Sequence, residues 1–158
     1  MSETVRRAFL GLGTNLGDRR RHLETAVGNM PELVRVSSVY ETEPVGGPEQ
    51  GAFLNIVVEL ATTKEPFELL ELCRSLEVAA GRERRVRWGP RTLDVDVLWI
   101  DGVTVDTPEL RVPHPRMHQR NFVVVPLLEL APDLAAPLSD LGFDPDTAFG
   151  AVASLGVL

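Results

Sequence analysis

The order of the predicted secondary structure indicates an α+β fold: a ferredoxin-like α/β sandwich with helices packed on a mostly antiparallel sheet. Hydrophobic periodicity predicts strand, helix, strand, strand, helix, strand, which is the order of the split βαβ arrangement. The strand segments alternate and are rich in β-branched residues, whereas two helical segments have apolar stripes. A chain of 158 residues can bury a core without disulfides, so we expect a single domain over residues 1–158.

The first half of the chain contains three predicted strands and one helix. Residues 6–13, RRAFLGLG, are typical of a buried strand that ends in glycines, and we expect the glycines to form a tight turn. Apolar residues then recur at helical spacing after Asp18, a residue type that caps helix N-termini. Residues 34–45 and 53–62 alternate and predict two paired strands.

The second half begins with another helix over residues 66–80, with Pro66 in its first turn and Gly81 after its end. We expect the helices to cover one face of the sheet. The remaining predicted elements are a strand at 93–100, a hairpin-like excursion at 101–116, an amphipathic or core helix at 123–132 and a short helix within 144–155.

Composition and charge argue against several classes of protein. The net charge of −7 argues against a general nucleic-acid binder, which needs a broad basic face. The longest apolar runs are too short to span a bilayer, and the first residues lack the apolar region of a secretory signal. The lone Cys73 cannot form an internal disulfide, which favours a reducing cytoplasm. We expect a monomer without nucleic-acid or membrane partners.

A pair of aspartates lies in the segment RWGPRTLDVD, residues 87–96. Asp94 and Asp96 are two positions apart on a predicted strand, so their side chains point the same way, roughly 7 Å apart at the Cα atoms. Two carboxylates on a rigid strand repel each other unless a cation lies between them, and hard oxygen ligands favour Mg²⁺. Such a pair by itself is also common on a solvated strand face.

An arginine cluster precedes this pair. Guanidinium groups bind phosphate oxygens bidentately, so the arginines and a metal ion can together neutralise a polyphosphate. Mutual salt bridges between arginines and aspartates are the alternative, but they do not explain the Gly-Pro turn or Trp88. A tryptophan in such a polar loop can stack on a ring or cover a site. The clustered residues are Arg82, Arg84, Arg85, Arg87 and Arg91.

Two further groups of residues are candidates for ligand binding. His114 lies between two prolines in the segment VPHPRMHQRNF, residues 112–122, which also contains Arg120. On neighbouring strands, Asn55 and Phe53 offer an amide and an aromatic face that can recognise a flat heterocycle. Without other information, such a phenylalanine is more typical of a core and such an asparagine of a strand-end cap.

The combined motifs resemble those of the 6-hydroxymethyl-7,8-dihydropterin pyrophosphokinase family. The resemblance spans about residues 7–133 in the right order, and R-W-G-P-R-T-L-D-x-D is its most specific part. It implies transfer of pyrophosphate from MgATP to the hydroxymethyl group of the pterin, with release of AMP, in folate biosynthesis. The motifs are GTNLGDR, SSVYETEPVGGPEQGAFLN, GRERRVRWGPRTLDVDVL and VPHPRMHQRNFVVVPLLELAPD.

The resemblance also implies roles for individual residues. Asp94 and Asp96 correspond to ligands of two Mg²⁺ ions that bridge the triphosphate of ATP, the co-substrate. The implied catalytic residues are Arg82, Arg91, Asp94 and Asp96. The implied ATP-binding residues are Glu77, Arg84, Arg87, Trp88, Arg91, Val97, Arg111, His114 and Arg120. The implied pterin-binding residues are Thr42, Pro44, Val45, Phe53, Asn55 and Phe122.

Two other classes of function compete with this hypothesis. Ferredoxin-like domains often act as regulatory ligand sensors, but a sensor needs neither the aspartate pair nor the arginine cluster. A metal-dependent phosphohydrolase would use the same groups to activate water. Such sites commonly add several His or Asp ligands, and the three histidines here are poorly placed for that.

Overall fold

The computed structural model describes residues 4–15, 17–42, 52–81, 93–144 and 152–158. Within these ranges the chain forms strands, helices and two short 3-10 turns at Met117–Gln119 and Pro132–Leu134. The strands are β1 Arg6–Thr14, β2 Leu33–Val36, β3 Tyr40–Thr42, β4 Phe53–Thr62, β5 Asp94–Ile100, β6 Val105–Asp106, β7 Arg111–Val112 and β8 Val152–Ser154. The helices are α1 Arg19–Gly28, α2 Pro66–Ala79, α3 Asn121–Leu130 and α4 Ala135–Asp140.

The main sheet has the strand order β5-β1-β4-β3-β8, and β2 also pairs with β4. Every pairing in it is antiparallel. If β2 and β3 are counted as one interrupted strand, β5 and β4 flank β1 as the fourth and third strands of a ferredoxin-like sandwich do. The predicted α+β class and the mostly antiparallel sheet are confirmed.

The helices predicted after Asp18 and over residues 66–80 both form, and their ends have the expected chemistry. The Asp18 side chain accepts a hydrogen bond from the Arg21 N–H at 3.2 Å and caps α1. Pro66 opens α2 behind Glu65, whose side chain and that of Glu68 form a capping box. None of the helices in the described ranges has the length and apolar character needed to cross a membrane.

Helices pack on both faces of the sheet, so the prediction that they cover one face is wrong. On one face, Leu10 of β1 packs in a core with Leu23 of α1 and Leu69 of α2. On the other face, Phe9 of β1 packs in a second core with Leu127 of α3. Because β1 carries large apolar side chains on both faces over this half of its length, each face needs a covering helix.

The segment predicted as one strand at 34–45 is interrupted in the structure. At Ser37 a side chain takes part in the pairing with β4. The Ser37 Oγ accepts a hydrogen bond from the Val57 N–H at 2.9 Å, and the Ser37 N–H donates to the Val57 carbonyl at 2.9 Å. The carboxylate of Glu129 on α3 then accepts hydrogen bonds from the Ser38 N–H at 2.9 Å and from the Tyr40 hydroxyl at 2.6 Å. The interruption therefore serves as the attachment point of α3.

The predicted short helix within 144–155 is wrong at residues 152–154, which form β8; residues 145–151 lie outside the described ranges. β8 pairs with β3, and the pairing extends to Val39, whose carbonyl accepts from the Leu155 N–H at 2.8 Å. Without β8, the backbone groups along one side of β3 would be an unpaired sheet edge. This non-local pairing outweighs the helical periodicity of the segment.

Replacing Ala153 with proline should weaken this sheet edge. The Leu155–Val39 hydrogen bond implies, by alternation, that the Ala153 N–H points to β3 and the Ser154 N–H points away. Ala153→Pro should lower the free energy of unfolding by about 1–3 kcal/mol in urea titrations, because it removes a ladder donor. Ser154→Pro is the matched control and should have a much smaller effect; equal effects would contradict this pairing.

Candidate active site

Beyond the α3 core, the second face of the sheet carries glycines and polar side chains. The two residues that β1 presents here are Gly11 and Gly13. Gly11 pairs with Asp96 of β5, and Gly13 pairs with Asp94 on one side and with Asn55 of β4 on the other. Because neighbouring strands lie about 4.8 Å apart, the backbones of β5 and β4 at Asp94 and Asn55 are about 10 Å apart, and no side chain from β1 lies between them.

The aspartate pair projects as the sequence predicts. Val95 and Val97 point into the core shared with α2, so Asp94 and Asp96 point to the opposite face, where both are half-buried. Among the described residues no group of three or more His, Cys, Asp or Glu side chains is placed to hold a metal ion. Two carboxylates fit Mg²⁺, which commonly takes one or two protein carboxylates and completes its shell with water and substrate phosphate oxygens.

Glu77 supports β5 from behind. Its buried carboxylate accepts a hydrogen bond from the Val95 N–H at 2.9 Å, so α2 is tied to the backbone between the two aspartates. Cys73 lies one turn earlier on α2, and burial raises the pKa of its thiol well above the usual range, reinforced by the charges of Asp96, Glu77 and Asp94. The Glu77 side chain thus binds the backbone of β5. Direct contact between Glu77 and ATP stays a prediction.

A cleft of about 370 Å³ runs along the outer edge of β5. Three of the predicted ATP-binding residues, Val97, Arg111 and His114, line it together with Asp96. The exposed Arg111 is held in the β6–β7 hairpin by an ion pair of 3.3 Å with Asp106. The other lining residues are Leu70, Val95, Pro108, Glu109, Leu110 and Pro115. The cleft therefore brings one of the predicted metal ligands to the edge of a cavity large enough for a small ligand.

His114 is held as a neutral imidazole beside the aspartates. Burial and the positive charges of Arg120 and Arg116 together lower its pKa to about 4, although the charge of Asp94 acts in the opposite direction. Its backbone N–H donates to the Leu98 carbonyl at 2.9 Å, and its Nδ1 accepts from the Arg116 N–H at 3.2 Å. With Nδ1 used as an acceptor, the proton is on Nε2, which can donate to a phosphate oxygen.

Three of the predicted pterin-binding residues, Thr42, Phe53 and Asn55, lie on β3 and β4, on the other side of β1. Asn55 and Thr42 are both buried, and the Asn55 Nδ2 donates a hydrogen bond to the Thr42 Oγ at 2.8 Å. Phe53, on the same face of β4, is half-buried beside Gly13. Phe122 lies at the start of α3, where the Arg120 guanidinium is 5.7 Å from the centroid of its ring. The amide thus bonds to another side chain and does not cap a strand end.

Several predicted site residues cannot be compared with the structure. They lie outside the described residues, in the segments 43–51 and 82–92. They are Pro44, Val45, Arg82, Arg84, Arg87, Trp88 and Arg91.

The two strand glycines were misinterpreted from the sequence. Gly17 has the left-handed backbone of a turn, with a φ of 72°, but Gly11 and Gly13 lie within β1 and pair on both sides. Their spacing of two residues is the signal that was available, because it places both on one face of a strand. They belong to the site and do not form a tight turn.

Comparison with known proteins decides the family. Residues 9–132 match the family model described as 7,8-dihydro-6-hydroxymethylpterin-pyrophosphokinase. This chain belongs to that family. Membership in the pterin pyrophosphokinase family confirms the predicted resemblance and the predicted enzyme class, an ATP-dependent pyrophosphokinase of folate biosynthesis that acts on hydroxymethyldihydropterin.

Relatives and solved structures agree with membership of the pterin pyrophosphokinase family. The chain is 48% identical over 128 residues to the 2-amino-4-hydroxy-6-hydroxymethyldihydropteridine pyrophosphokinase of Bacillus subtilis, a match that covers 78% of this chain and 77% of the relative. It is 45% identical to the protein of the same name in Methylorubrum extorquens, covering 81% and 84% of the two chains. A crystal structure of Plasmodium falciparum HPPK-DHPS with pterin and p-hydroxybenzoate shares the fold, with a TM-score of 0.58 at 16% identity; the match covers 81% of this chain but only 38% of that one.

The buried state of His114 predicts how stability depends on pH in this pyrophosphokinase without metal or nucleotide. A folded-state pKa of about 4 lies below the unfolded value of about 6.5, so the unfolded chain binds the proton more tightly. The contribution of neutral His114 to the free energy of unfolding is fully present above about pH 6.5, and it is lost as the pH falls from about 6.5 to about 4.

Unfolding titrations of wild type and His114→Asn across this range measure the effect. Asparagine can accept the Arg116 N–H but does not titrate, so the wild type should lose stability relative to the variant, on the order of 2 kcal/mol by pH 4. A constant difference between the two proteins would show that the pKa of His114 is the same in the folded and unfolded states.

Proposed function

We propose that Asp94 and Asp96 hold two Mg²⁺ ions that bridge the triphosphate of ATP, and that this face of the sheet aligns the β-phosphorus with the hydroxymethyl group of the pterin. The hydroxymethyl oxygen bonds to that phosphorus and gives up its proton to water, while the bond between the phosphorus and the oxygen that AMP retains breaks. One observation carries the proposal: the aspartate pair of β5 and the Asn55 amide of β4 share one sheet face, on the two strands that flank the glycines of β1.

The nucleotide side of the proposal rests on the cleft at the edge of β5. With the triphosphate over Asp94 and Asp96, the remainder of ATP extends into this cleft past Val97, Arg111 and His114. When bound, the Mg²⁺ ions neutralise the triphosphate and set its geometry. A neutral His114 adds a hydrogen-bond donor without adding a charge, and it does not need to gain or lose a proton near pH 7.

The arginines of the segment 82–92 complete the charge balance in this proposal. In it, Arg82, Arg84, Arg87, Arg91 and Arg120 contact the phosphate groups of ATP. Trp88 covers the nucleotide. Transfer of this type is catalysed mainly by alignment and by neutralising charge on the transferred and leaving groups, which suits a cluster of guanidinium groups.

The pterin side of the proposal rests on the open half of β4 and β3. Phe53 and Phe122 stack on the two faces of the ring, and Asn55 and Thr42 recognise its edge, together with Pro44 and Val45. A buried amide beside half-buried aromatic rings suits a flat heterocycle with polar edges.

We also propose that residues 1–158 form one domain that acts as a monomer in the cytoplasm. The larger core supports the single domain, because it joins Ala8 near one end of the chain to Leu158 at the other. A free, buried Cys73 agrees with a reducing compartment.

Product analysis tests the proposed reaction. Purified protein mixed with MgATP and 6-hydroxymethyl-7,8-dihydropterin should form AMP only when the pterin is present, with one pyrophosphorylated pterin for each AMP. Formation of ADP and phosphate would contradict the proposal and favour a phosphohydrolase or an ordinary kinase. Ligand binding without any turnover would favour a sensor.

Replacing one aspartate tests the metal site. Asp96→Asn should reduce kcat by on the order of 100-fold and weaken activation by Mg²⁺, because the amide is a poorer ligand and removes a negative charge. Rates measured over a Mg²⁺ titration at saturating ATP would show both effects. Asp140→Asn, an exposed aspartate on α4, is the matched control and should behave as wild type. If Asp96→Asn stays within a few fold of wild type, the aspartate pair is not the metal site.

A further inference from the structure

The amide of Asn55 is confined from both sides. Its Nδ2 is held by the Thr42 hydroxyl at 2.8 Å, and its Oδ1 lies above Gly13, its partner residue in the β1–β4 ladder. A Cβ atom added at Gly13 would lie 2.9 Å from that Oδ1, closer than real Cβ contacts allow. The amide can keep its present position only because residue 13 has no side chain.

The confined amide presents one acceptor to the open face. Among the described residues, the hydrogen bond to Thr42 is the one recorded for the Asn55 side chain. Because this bond uses Nδ2, the carbonyl oxygen Oδ1 is left to accept from a ligand. A buried acceptor with a fixed direction favours a ring that offers an N–H or amino group there, and it disfavours a ring that offers another acceptor.

Gly11 provides a natural comparison. It lies two residues earlier in β1 on the same face, but a Cβ there would meet Leu98 Cδ1 at 3.2 Å. That atom belongs to the buried side chain of Leu98, which is part of the core under α3. An alanine at position 11 therefore disturbs β1 without touching the amide.

We propose that Gly13 is a specificity-determining residue: by leaving room for the Asn55 carbonyl, it selects pterins whose ring carries a 2-amino group over analogues with a carbonyl oxygen at that position. Gly13 acts through Asn55 and is a positioning residue. The inference rests on the proposed function, because it assumes that the pterin ring binds beside Asn55.

The test compares Gly13→Ala, Gly11→Ala and wild type with two substrates, 6-hydroxymethyl-7,8-dihydropterin and its analogue with oxygen in place of the 2-amino group. Gly13→Ala should raise KM for the pterin about tenfold and lower the preference for pterin over the analogue by about tenfold, while KM for ATP stays within about twofold. Gly11→Ala should keep the preference of wild type.

Two results would overturn the proposal. One is an equal loss of the preference for pterin in both alanine variants, and the other is a Gly13→Ala enzyme that loses activity on both substrates in the same proportion. If Gly13→Ala does not fold, Thr42→Val replaces it as the test, because it releases Nδ2 at nearly constant volume. That variant should also lose the preference, and full retention of the preference would refute the confined amide. Absence of pterin-dependent AMP from wild type would instead reject the proposed function.

Discussion

The site depends on the central position of β1, which pairs with β4 on one side and β5 on the other. Over its first half, β1 presents Phe9 to the face under α3, and over its second half it presents only Gly11 and Gly13 to that face. The change from a large side chain to none ends the apolar core and opens the face. The same two glycines contribute no side chain between the aspartates of β5 and the amide of β4, which lie on strands about two spacings apart.

Polar interactions hold α3 on its half of the face. Glu129 near its C-terminal end binds the interruption between β2 and β3, and Arg35 of β2 reaches both Glu59 at 2.7 Å and the carbonyl of Leu130. Farther from the site, Arg7 bridges Asp101 at 2.9 Å and Asp133 at 2.6 Å, which raises the pKa of the guanidinium and lowers that of Asp133. These contacts involve Glu129 and Leu130 at the end of α3 and Asp133 just after it, so they fix the C-terminal end of the helix.

Local chemistry made part of this arrangement predictable. The caps at Asp18 and Pro66 and the direction of Asp94 and Asp96 follow from short-range rules of helix capping and strand alternation. The interruption at Ser37 and the strand at Val152–Ser154 depend on partners far away in the chain, so no local pattern contains them. The role proposed for Gly13 also depends on a distant partner, because the pairing with β4 places Asn55 above it. The roles of individual site residues came from family resemblance and remain predictions.

A crystal structure of the protein with Mg²⁺, a non-hydrolysable ATP analogue and 6-hydroxymethyl-7,8-dihydropterin tests the central claim most directly. The account predicts two metal ions between the triphosphate and the carboxylates of Asp94 and Asp96, the nucleoside in the cleft beside Val97 and Arg111, and the pterin over Asn55 with its hydroxymethyl group directed across Gly11 and Gly13. A pterin bound on any other face, or a triphosphate without contact to metal at the two aspartates, would contradict it.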